Sequence, residues 1–182
     1  MKGEDQDINK ETEKLGRIIS DEMATQILGV MEKTLQTGAI PKEALGYTAE
    51  KLEGIYGQAY YLYNTGKYQD AAQLFRLLIV LDPKEPKYML GLAACFHMMK
   101  EFMNAVKVYT ICSVLDPANP IPQFHISDCF IQMRERISAM VALEMAIERA
   151  GSNPQYQVLK DRALMTISGL KKELEKVNSA ME

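Results

Sequence analysis

Residues 66–75 read Gly66-Lys67-Tyr68-Gln69-Asp70-Ala71-Ala72-Gln73-Leu74-Phe75 and lead on to Leu81-Asp82-Pro83. Thirty-four residues later, Lys100-Glu101-Phe102-Met103-Asn104-Ala105-Val106-Lys107-Val108-Tyr109 leads on to Leu115-Asp116-Pro117. The pairs Tyr68/Phe102, Ala71/Ala105, Phe75/Tyr109, Leu81/Leu115, Asp82/Asp116 and Pro83/Pro117 all keep that offset. One unit is therefore written twice in register over residues 52–117, and the rest of the chain is read outward from it.

A period of this length marks stacked helical hairpins, and it resembles the tetratricopeptide repeat. The first repeat, 52–85, places Ile55, Ala59 and Leu62 on the inside of its first helix, turns at Thr65-Gly66, and closes its core with Tyr68, Ala71, Phe75 and Leu78. Ala59 and Ala71 are small where the two helices touch most closely. Pro83 stops the second helix because it has no N–H to donate. The second repeat, 86–119, follows the same logic with Met89, Leu92, Ala93 and Phe96, then Phe102, Ala105 and Tyr109. The third, 120–151, is worn: Ser127, Phe130, Ala139, Leu143 and Ala146 fit, but Arg134 and Arg136 stand where glycine and an aromatic are expected. Three repeats are about the minimum for a stable stack.

Outside the repeats, residues 1–14 hold too little apolar surface to offset ordering and are expected to be flexible. Over residues 15–50 the pattern changes. Leu15, Ile19, Met23, Ile27, Met31 and Leu35 recur at every fourth position and predict an amphipathic helix, ended by Gly38, with Pro41 opening a short helix after it. That stripe either caps the first repeat or joins a second copy of the chain in a homodimer, since both uses bury the same face. Residues 152–182 predict a capping helix from about Gln155 to Val177, with Val158, Leu159, Leu164, Ile167, Leu170 and Leu174 as its apolar side. The fold class is therefore all-α: an N-terminal helical region, three hairpins in a superhelical stack and a C-terminal cap.

Composition narrows the function. A net charge of −3 supplies no basic excess for nucleic acid, and no apolar run approaches a membrane span. Neither nucleic-acid binding nor membrane insertion is expected, and a cytoplasmic location is. Cys95, Cys112 and Cys129 lack ligand spacing, and the first and last occupy one repeat slot, so they read as buried free thiols. No phosphate loop, nucleophile elbow or metal motif appears, so no enzyme, cofactor or metal is expected. His125 and Asp128, three apart on one helix, read as a surface pair.

The candidate site is the inner side of each hairpin's first helix, which lines the concave surface of such a stack. Positions i, i+4 and i+7 there share a face. They are Tyr56, Tyr60 and Tyr63 in repeat one, Leu90, Ala94 and His97 in repeat two, and Phe124, Asp128 and Ile131 in repeat three. Six of the nine tyrosines lie between Tyr47 and Tyr68, and tyrosine suits recognition because it joins apolar area to a hydroxyl at low entropy cost. The bland alternative packs some of these rings against the N-terminal helix. A Lys/Asn/Arg clamp for a peptide carboxylate is missing from these slots, so the groove is expected to take an apolar or aromatic-tolerant segment.

The stretch Pro86-Lys87-Tyr88-Met89-Leu90-Gly91-Leu92-Ala93-Ala94-Cys95 resembles the second-repeat signature of class II type III secretion chaperones, of the kind found in Yersinia, Shigella and Pseudomonas. Ile55-Tyr56, Ala59, Gly66-Lys67-Tyr68, Ala71, Phe124-His125, Cys129 and the closing Leu170-Lys171-Lys172-Glu173-Leu174-Glu175 are similar to that family as well, over roughly residues 20–177. The resemblance implies a dimeric helical chaperone. It would hold an extended segment of a secreted translocator or effector in its groove, keep it soluble, and in some members also regulate secretion genes. A general repeat scaffold joining two folded partners is the alternative.

Overall fold

A computed structural model describes residues 41–179, and every regular element among them is a helix. In chain order these are α1 (Pro41–Ala44), α2 (Ala49–Asn64), α3 (Tyr68–Leu81), α4 (Pro86–Met98), α5 (Phe102–Leu115), α6 (Ile121–Gln132), α7 (Arg136–Ala150), a 3-10 turn (Pro154–Tyr156) and α8 (Gln157–Ser179). The described residues fall into two compact units, 41–49 with 80–82, and 50–79 with 83–179. The stripe Leu15, Ile19, Met23, Ile27, Met31 and Leu35, expected to support dimerisation, lies outside the described residues. No helix among those described is long and apolar enough to cross a membrane.

In the smaller unit α1 begins at Pro41, as its fixed φ favours at a first helical position. Lys42 forms an ion pair with Asp82, forty residues away. Periodicity assigns Asp82 only to a turn, so this tie is a finding of the structure.

The larger unit is built from the repeat. Ala71, Ala105 and Ala139 are fully buried, and so are Ala59, Ala93 and Ser127, each trio keeping the repeat offset. These are the points where the helices of a hairpin approach most closely, and only a small side chain fits there. Local signals set the ends. Pro86 starts α4, with the Glu85 carboxylate accepting from Lys87 N–H, and Asn119 accepts from the Ile121 N–H at 3.0 Å to start α6. Each hairpin turns the same way: Lys67 N–H donates to Leu62 O, Glu101 N–H to Phe96 O and Glu135 N–H to Phe130 O, all at 2.9 Å. This bond pattern needs a left-handed residue at the turn. Gly66, Lys100 and Arg134 fill that slot with φ of 80°, 63° and 63°. The arginine read as a worn position thus keeps the glycine's backbone geometry.

The three thiols are buried, and burial pushes Cys95 and Cys112 up to about 11 and Cys129 up to about 12. They pack as small apolar groups. At the end of the unit, Ala163, Ile167 and Leu170 of α8 join Phe124, Ala139, Leu143 and Ala146 in one core cluster, with Leu159 against it. Val158 and Leu164, expected on the apolar side of this helix, are exposed. The buried face follows the i, i+4, i+7 line through Ala163, a residue whose size hid its role.

Candidate peptide-binding face

The nine positions proposed for the groove form three rows, each repeating at 34 residues: Tyr56/Leu90/Phe124, Tyr60/Ala94/Asp128 and Tyr63/His97/Ile131. The rows differ in depth.

The first row is the deepest. The Tyr56 ring meets Phe75 edge-on (6.1 Å, 69°), leans on Tyr88 of α4 (5.9 Å) and stacks on Tyr60 (6.3 Å, 21°). Lys87 lies over it, Nζ 4.7 Å from the centroid, while also pairing with Glu53. The Glu53 bond holds the Lys87 ammonium above its usual range. Tyr56 therefore joins the first two hairpins and offers only part of its ring. Leu90 is half-buried against a core of Ala93, Ala105, Tyr109, Ile126, Cys129 and Ala142. Phe124 corrects the reading of the sequence: at 8% exposure it is a core residue, clustered with α7 and α8, with the Arg162 guanidinium 5.3 Å above its ring. The closing helix covers the slot that stays partly open at Tyr56 and Leu90.

The second row is the open one. Tyr60 is 54% exposed, Ala94 is half-buried, and Asp128 keeps 39% of its side-chain surface. In the third row Tyr63 meets Tyr68 edge-on at 5.4 Å, and burial raises its phenol. His97 packs edge-on against Phe102 (5.8 Å), Tyr109 (6.5 Å) and His125 (6.3 Å). Burial lowers its pKa, the Asp128 charge opposes that shift and His125 reinforces it. Ile131 is partly buried against the last cluster.

Two features escaped the sequence reading. Glu53 and Lys87 share a slot at the repeat offset, so aligning the repeats by charge would have found them. His125 stacks on the buried Tyr109 ring (5.3 Å, 21°), which ties the expected surface pair into the hairpin interior. His125 Nδ1 stands 3.6 Å from Asp128 Oδ2, outside hydrogen-bond reach. Among the described residues no three His, Cys, Asp or Glu side chains are placed to hold a metal. Chemically, the face offers open aromatic and small apolar surface with one carboxylate toward its far end.

Residues 52–85 match the tetratricopeptide repeat family. The chaperone protein SicA of Salmonella typhimurium is 37% identical over 65 residues, a stretch that spans 36% of this chain and 39% of SicA. The Yersinia enterocolitica type III secretion chaperone SycD, solved in complex with a peptide of the translocator YopD, is 31% identical with a TM-score of 0.66, covering 69% of this chain and 96% of that one. SycD in an alternative dimer gives 31% and 0.67, covering 70% and 97%.

Proposed function

The chain belongs to the family of type III secretion translocator chaperones, and from that premise we propose that it holds an extended apolar segment of a secreted translocator or effector along the open faces of α2, α4 and α6. It acts in the bacterial cytoplasm and works as a homodimer. Bound this way, a segment made for a membrane neither aggregates nor inserts early. The role is stoichiometric binding and calls for no catalysis. The carrying observation is the middle row, where the half-exposed Tyr60 ring is followed at the repeat offset by the small Ala94, leaving room beside an aromatic wall. Aliphatic side chains of the cargo enter there.

The test uses a fluorescein-labelled YopD peptide of the kind SycD binds, read by anisotropy against the full chain. Tyr60→Ala is expected to weaken binding about thirtyfold, since removing an aromatic anchor costs about 2 kcal/mol. Ala94→Arg, which fills the mid-face space, is expected to abolish it, with helicity and melting near wild type. Unchanged affinity in both variants refutes the groove.

A further inference from the structure

We infer that Asp128, set beside His97 and His125, is the polar selector of this face and chooses cargo segments that carry a lysine or arginine side chain. The inference rests on the groove reading and deepens it.

Asp128 lies in the most open row, in register with Tyr60 and Ala94. Glu53 and Lys87, which share another slot of these helices, neutralise each other. Asp128 has no such cation: among the described residues its nearest partner is the His125 ring at 3.6 Å. Arg162 of α8 lies over the Phe124 ring. A segment laid along the face strips water from Asp128, and a carboxylate desolvated without a partner is strongly unfavourable.

Two sources of compensation exist. One is internal, with His125 taking up a proton as cargo binds. The His125 ring is engaged elsewhere: it stacks on Tyr109, the His97 and Phe124 rings stand 6.3 and 6.2 Å away, and its Nδ1 is outside hydrogen-bond reach of Asp128. Around the pair stand His97 from α4, Tyr109 and Cys112 from α5, Cys129 from α6 and, held over the Phe124 ring, Arg162 from α8. Burial lowers the His97 pKa, so that ring supplies Asp128 with no charge at neutral pH. The other source is the cargo, whose ammonium or guanidinium supplies the missing charge and fixes the register of the segment.

The experiment is selection of a phage-displayed random twelve-residue library on the full-length chain. Wild type is expected to enrich peptides with lysine or arginine at one register. Asp128→Asn should lose that preference while still retaining apolar peptides, and Asp128→Lys should favour Asp or Glu there. Tyr60→Ala should lower retention of every selected peptide. The best basic peptide, synthesised and measured by anisotropy, should bind about tenfold more weakly to Asp128→Asn than to wild type, as loss of one charge pair across an interface implies. Selected peptides that need Tyr60 but show no basic preference overturn the selector and leave the groove standing. Peptides indifferent to Tyr60→Ala, or no selected peptide at all, overturn the groove reading and the selector with it.

Discussion

Replacing Gly91 by alanine puts a methyl group where the side chain of Phe75 already stands. A Cβ built on Gly91 falls 2.4 Å from both Cε1 and Cζ of that ring and 2.8 Å from Cδ1. Ordinary carbon–carbon contact is about 3.5–4.0 Å, so α4 or the ring must give by roughly 1 Å. The ring has little freedom, being 2% exposed and held edge-on by Tyr56. Overpacking of this kind costs about 1–3 kcal/mol, and the upper part of that range applies where both partners sit on packed helices. Alanine returns about 1 kcal/mol of helix propensity, which leaves a net loss of about 1–2 kcal/mol. Gly57 on α2 supplies the control, because a Cβ there meets nothing within 4 Å. Gly57→Ala should therefore stabilise by up to about 1 kcal/mol. The same chemical change is thus expected to move Tm in opposite directions, by about 2–4 °C per kcal/mol for a chain of this size. Calorimetry on the two variants decides. Trimming the ring tests the cause: in a Phe75→Leu background, Gly91→Ala should be neutral or stabilising, which makes the coupling between the two positions measurable. A Gly91→Ala protein as stable as wild type, or one whose loss persists beside Leu at position 75, refutes the reasoning.

Two further outcomes are expected. Lys100→Gly and Arg134→Gly should each raise stability by about 0.5–1 kcal/mol, because a left-handed residue with a Cβ carries about 1–2 kcal/mol of strain that glycine relieves, less its greater unfolded-state entropy; an unchanged or lower melting temperature in the double variant contradicts this. Ile27→Glu with Met31→Glu should convert a dimer to a monomer in sedimentation velocity while helicity persists, and a wild-type chain already monomeric at tens of micromolar, a rough range for weak interfaces, defeats the dimer reading.

The repeat made most of this fold legible before any coordinate. An offset of 34 residues assigns the helix pairs, the small buried contacts at Ala71, Ala105 and Ala139, and the shared turn slot. What it cannot assign is what lies across a slot. Tyr56, Leu90 and Phe124 are equivalent in sequence, but the first two face a partly open side and the third is roofed by Ala163, Ile167 and Arg162 of α8. No residue of the third repeat records that roof, because α8 stands outside the period. Ala163 gave no signal of its own, and the apolar count on that helix favoured Val158 and Leu164, which the structure leaves in water. The Lys42–Asp82 tie was hidden for the same reason, since its two ends lie in segments of different pattern. The proposed face was partly legible: spacing brought its nine positions onto three helices, while depth divides them. Tyr56 is committed to the joint with Phe75 and Tyr88, and Phe124 to the cap. That leaves Tyr60, Ala94 and Asp128 as the row where an incoming chain meets the least resistance. A variant at Phe124 would unsettle the core along with any binding, so the groove is better probed through Tyr60 and Ala94, whose truncation or filling leaves the packed clusters alone.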